Sequence, residues 1–159
     1  MRKAIALALA LCAAPLAAKD TLGVFESWAA FRDPSVPRCY AIAAPRDSAA
    51  ARDFAPFATI ASWPRRKIRG QVHFRLSRRL ADAPRVSLTI GGNSFLLTGG
   101  GGDAWAADRA MDAAIVAAMR SARTMTIRAT DRRGRRFADR YELGGAASAM
   151  DAATVGCAR

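Results

Sequence analysis

Histidine occurs once in these 159 residues, tyrosine twice and lysine three times. With His73 the only imidazole, no Ser-His-Asp or Cys-His arrangement can be built except around it, and no candidate nucleophile lies beside it in sequence. Cysteine is also scarce: three residues exclude a disulfide-dense scaffold. Cys39, Cys157 and His73 at unrelated spacing fall short of a metal-ligand set, so neither metal nor cofactor is expected. No apolar run reaches the roughly 18 to 20 residues that a membrane-spanning helix needs. Acidic side chains are outnumbered, 13 against 25 basic ones, for a formal charge of +12. Internal repeats are absent, and the one low-complexity stretch is Gly99–Gly102. It lacks the lysine and hydroxyl of a phosphate loop, because Asp103, Ala104 and Trp105 follow it, so it reads as a connector.

The chain opens with Arg2 and Lys3, then an apolar stretch from Ala4 to Ala18 that ends in small residues. That order is the one a secretory leader uses, and it predicts residues 1–18 as signal and 19–159 as a single globular domain. The mature protein is then periplasmic or secreted. Cys12 follows Leu11 rather than a small residue, which disfavours lipid attachment, and it leaves with the leader. Cys39 and Cys157 remain. In an oxidising compartment two thiols suggest one disulfide, which would pin the C-terminal tail to an early strand; two buried free thiols are the alternative.

Period-two alternation marks Gln71–Leu76, Val86–Ile90 and Met125–Ala129 as strands with one buried face. Cys39–Ala44 and Phe57–Trp63 are apolar on both faces. Gly91-Gly92-Asn93 turns into Ser94–Thr98, and Arg133-Gly134 turns Thr124–Asp131 into Arg136–Leu143. Met111, Ile115, Ala118, Met119 and Ala122 recur at helical spacing, so one helix is expected over about 104–122, capped by Asp103 or Asp108. A shorter helix is expected near Ala146–Ala153. Seven or eight strands with these helices make an α+β, mainly β fold: an antiparallel sheet or β-sandwich.

Arginine dominates the charge, with twenty-two residues. Arg65, Arg66, Lys67 and Arg69 follow Trp63-Pro64 between two strands; Arg132, Arg133, Arg135 and Arg136 surround a hairpin turn; Arg75, Arg85, Arg128 and Arg140 lie on polar strand faces. Were those strands neighbours, one face would become cationic. Arginine pairs bidentately with phosphate and carboxylate, so the candidate partners are anionic lipid, lipopolysaccharide or an acidic protein. Nucleic acid fits the electrostatics, but an exported protein seldom meets it. The plain alternative is a solvated, arginine-biased surface. Asp139 shares the alternation of Phe137, Tyr141 and Leu143 and therefore points inward, where a carboxylate must be hydrogen-bonded or paired. It is also the best residue for a competing reading, an envelope hydrolase or lyase using carboxylates.

Trp28 followed by Cys39, and the segment from Ala113-Ala114-Ile115-Val116 through the Gly134 turn to Leu143-Gly144-Gly145-Ala146-Ala147-Ser148-Ala149, resemble the invasion-associated locus B family of small exported alphaproteobacterial proteins. The resemblance implies a β-sandwich-like fold, a periplasmic or surface location and no known catalytic centre. The family's mid-chain cysteine pair, with a Gly-Cys step before the helix, is missing here, where Gly99–Asp103 stands instead. Cys157 at the extreme C-terminus departs from the pattern too, so no disulfide is carried over from it. The resulting expectation is a non-enzymatic envelope protein that meets an anionic component through an arginine-rich face.

Overall fold

Alternating apolar side chains need a common surface to cover, and here one sheet supplies it. The computed structural model describes residues 18–46 and 52–158; the expected leader, Ala18 apart, lies outside them. Ten antiparallel strands form the sheet: β1 (Asp20–Phe25), β2 (Trp28–Asp33), β3 (Arg38–Ala43), β4 (Phe57–Trp63), β5 (Ile68–Arg75), β6 (Val86–Ile90), β7 (Asn93–Gly100), β8 (Asp103–Trp105), β9 (Thr124–Thr130) and β10 (Arg136–Glu142). Their order across the sheet is β1-β2-β3-β4-β5-β8-β7-β6-β9-β10. Two helices accompany it, α1 (Arg109–Met119) and α2 (Ala146–Cys157). The fold is the α+β, mainly β, antiparallel architecture that the sequence predicts.

The sheet folds back on itself. Phe74 of β5 meets Tyr141 of β10, with ring centroids 6.3 Å apart. Trp28, fully buried, donates its indole N–H to the carbonyl of Glu142 at 2.9 Å. The Arg46 N–H reaches the Arg140 carbonyl at 2.8 Å along the outer edge of β10. Val72, Phe74, Leu88, Ile90, Ile127 and Tyr141 fill the interior between the two halves. Helix α2 lies across β1 to β4, and α1 packs against β5.

Three local expectations are corrected. The first helix starts at Arg109 rather than 104, because the Asp108 carboxylate caps it by accepting the Met111 N–H at 2.8 Å. Residues 103–105 form a strand instead, paired to β5 on one side and β7 on the other. Gly99–Gly102 is no loose connector: Gly99 and Gly100 belong to β7, Gly101 turns at φ +63°, and Gly102 is buried against the Phe54 ring. Glycine is required at 102 because a Cβ there would overlap that ring.

Cys39 and Cys157 form a disulfide, with Cα atoms 5.7 Å apart, across a sequence separation of 118. It ties the last turn of α2 to β3.

Candidate functional site

Register decides which arginines share a face. In β6, Val86, Leu88 and Ile90 are buried, so Ser87 and Thr89 turn outward. Met125, Ile127 and Ala129 of β9 are buried, as are Asp139 and Tyr141 of β10. Cross-strand pairing then aligns Ser87, Arg128 and Ala138 in one row and Thr89, Thr126 and Arg140 in the next. Arg136 stands opposite Thr130, and Arg85 immediately precedes β6. Arg85, Arg128 and Arg136 line a shallow depression of about 550 Å³ with Ser87, Thr130 and Phe137.

The chemistry of this face follows from its spacing. Arg128 is diagonal to both Arg136 and Arg140, which sets each pair about 7 to 8 Å apart in an antiparallel ladder, their Cβ atoms somewhat closer. Screening at physiological salt acts over about 8 Å, so these cations repel one another. No carboxylate among the described residues lines the depression. Glu142, the outward acid at the far end of β10, is taken by Arg46 at 3.0 Å. Ser87 and Thr130 also line the depression; the Ser87 hydroxyl donates to the Arg128 carbonyl at 3.4 Å, so the donors available to an oxyanion here are chiefly the guanidinium groups.

The adjoining hairpin is held from beneath. Asp131 is buried and accepts the backbone N–H groups of Arg133 and Arg135, both at 2.9 Å. Arg78 and Arg135 add side-chain contacts at 3.2 Å. These bonds, the Arg135 N–H first, hold its carboxyl below the ordinary 3.8. Arg135 is thereby neutralised, whereas Arg132, Arg133 and Arg136 are exposed and make no ion pair among the described residues.

Arg65, Arg66 and Arg69 stand elsewhere. Arg65 and Arg66 belong to a single 3-10 turn at the β4–β5 corner, and Arg69 follows it in β5. From that corner β5 runs to Arg75, which pairs with Asp103; β7 ends, β6 begins and β9 finishes at that same end. The β9–β10 hairpin therefore lies at the opposite end of the sheet from the corner, four strands away from β5. The two clusters do not merge. Arg75 also faces another surface, bound to Asp103 beside His73, whose ring stacks on Trp105 at 5.2 Å.

Asp139 points inward as its alternation predicts. Its Oδ2 accepts the Ser77 N–H at 2.9 Å. Burial raises its pKa above 3.8, opposed by the Ser77 hydrogen bonds and by the charges of Arg52 and Arg78. It lines none of the three cavities described for this domain.

Fold and site together define a disulfide-closed, mainly β domain whose most uniform charged feature is a sheet face. Residues 30–154 match the model of the invasion associated locus B (IalB) protein family, and the chain belongs to that family. Comparison with curated proteins and with solved structures gives no match.

The sequence singles out the hairpin arginines together with Arg65, Arg66 and Arg69, with Arg75, Arg85, Arg128 and Arg140 as additions. The structure groups Arg136 with the last three and puts Arg75 on another surface, paired with Asp103. Their signal was the outward phase of each strand; what the phase could not give was strand order.

Proposed function

We propose that this chain is an exported, non-enzymatic envelope protein that engages an anionic envelope component through the β6–β9–β10 face. The observation that carries this reading is the set of four exposed arginines, Arg85, Arg128, Arg136 and Arg140, on one face with no unpaired carboxylate among them. Such a set costs stability through mutual repulsion, and a phosphate- or carboxylate-bearing partner removes that cost as it binds. Arg132 and Arg133 at the adjoining hairpin extend the same field. The disulfide suits an oxidising compartment, and no helix among the described residues is long and apolar enough to cross a membrane. The competing carboxylate hydrolase or lyase finds less support, because Asp139 accepts the Ser77 N–H and lines none of the three cavities described above.

Vesicles test the reading. The protein should sediment with vesicles of anionic phospholipid at low salt, stay in solution with zwitterionic vesicles, and be released by a few hundred millimolar salt, because exposed charges are screened more strongly there. No retention on anionic vesicles at low salt, or retention unaffected by salt, would end it.

A further inference from the structure

A second concavity lies away from the arginine face and differs from it in kind. Strand β8 covers β5 only from His73 to Arg75, so on the side away from β4 the stretch from Ile68 to Val72 has no strand beside it among the described residues. Helix α1 occupies part of that gap and is fastened there by Asp112, which accepts the Val72 N–H at 2.8 Å. Helix α2 approaches from the other side, anchored by the disulfide. The two helices and the β4–β5 corner leave a groove of about 450 Å³ between them, within the usual size of a small-molecule site.

Its floor is apolar: Ile60, Ile68, Val116, Met150 and Ala153 contribute side chains. Its rim is cationic. Lys67 and Arg69 stand on the strand side and Arg109 on the α1 side, all exposed and without an ion pair among the described residues. Arg120, the fourth basic residue at the rim, is neutralised by Asp151 at 2.6 Å. No carboxylate among the described residues lines the groove. An apolar trough under three unbalanced cations is complementary to a molecule with a flexible hydrocarbon portion and one anionic end.

We propose that this groove binds a fatty acid, with its acyl chain on Ile60, Ile68, Val116 and Met150 and its carboxylate held by Arg69, Lys67 and Arg109. The site is separate from the arginine face, so either can fail alone. Binding requires no bond to form or break. Ala113 lines the groove yet is exposed, so a bulky side chain there fills the trough without entering the core.

The experiment is calorimetric titration of the oxidised protein with dodecanoate below its micelle concentration, beside acetate as a head-group control and dodecyl maltoside as a chain control. Saturable one-to-one binding of dodecanoate is expected, at least tenfold tighter than either control. The Ala113→Trp variant should abolish it, and the Arg69→Glu/Arg109→Glu pair should weaken it at least tenfold. Arg123→Glu, exposed and lining neither the groove nor the arginine face, should leave it unchanged. Thermal melts establish that each variant is folded; should Ala113→Trp not fold, the charge-reversed pair decides. Absence of dodecanoate binding overturns the proposal. Equal binding of dodecyl maltoside, or dodecanoate affinity indifferent to the rim and trough variants, does so as well.

Discussion

Asp139 shows how much a single buried carboxylate can reveal about its surroundings. It has a backbone N–H to accept and two guanidinium groups within electrostatic reach, yet burial still raises its pKa. The ionised form is therefore less favourable in the folded chain than in the unfolded one. A carboxyl raised in this way contributes stability in acid and loses it as pH rises through its folded pKa. Asp33, Asp131 and Asp151 behave in the opposite sense: each is lowered, so its contribution is present above 3.8 and disappears as pH falls through the depressed value. Asp139→Asn keeps an oxygen for the Ser77 N–H and removes the buried charge. Urea unfolding should find it at least as stable as the parent at pH 7, with that advantage shrinking toward zero in acid. Asp139→Ala should instead lose about 1 to 3 kcal/mol at pH 7, because the Ser77 N–H is left without its acceptor. Near it, the Tyr141 hydroxyl is buried without a hydrogen-bond partner among the described residues. Removing an unsatisfied polar atom relieves desolvation and leaves the ring contact with Phe74 in place. Tyr141→Phe should therefore leave the melting temperature unchanged or raise it.

At the scale of the element, glycine governs how α2 begins. Gly145 has φ +83°, and a Cβ there would overlap the carbonyl oxygen of Phe25. Both the backbone conformation and the close approach of β1 require the missing side chain. Gly145→Ala should lower the melting temperature sharply, by more than Gly92→Ala, where the space is open and φ is ordinary. Legibility also divides at this scale. Strands β5 and β6 were readable because Val72, Phe74, Val86 and Leu88 alternate with more exposed positions, and β9 because Met125, Ile127 and Ala129 are buried in phase, although Thr126 between them is buried too. Strand β1 was not, since Leu22 and Phe25 are only partly covered and Val24 is 72% exposed. Strand β8 has three residues, too few for any period, and sits where a capping aspartate and alanines suggest a helix. Helix α2 runs to Cys157, beyond the expected Ala153; its last turn is tied to β3 by the disulfide and Gly156 is buried where a Cβ would meet Leu22, both long-range features with no local signature.

For the whole molecule, the consequential unknown was order across the sheet. Phase along each strand assigned Arg85, Arg128 and Arg140 to outward faces, but only the pairing of β6 with β9 and of β9 with β10 puts them together. The same pairings send the β4–β5 corner to the other end, so two clusters that look equivalent in sequence occupy different surroundings. The cysteine pairing was legible as one of two options, because Cys39 and Cys157 are the two thiols outside the expected leader and an oxidising compartment favours pairing them. Its loop spans a separation of 118, for which the chain-entropy account gives about 5 kcal/mol. Replacing both cysteines with serine should lower unfolding free energy by up to about that amount, measured in denaturant at neutral pH.

The arginine face is the central claim, and charge reversal at its middle tests it most directly. Arg128→Glu/Arg136→Glu should be compared with Arg65→Glu/Arg66→Glu by affinity for anionic vesicles at fixed low salt, since both pairs change net charge equally. The account predicts that the first pair abolishes binding while the second weakens it only modestly. Equal loss from both would mean that net charge alone drives association, and would contradict a defined binding face.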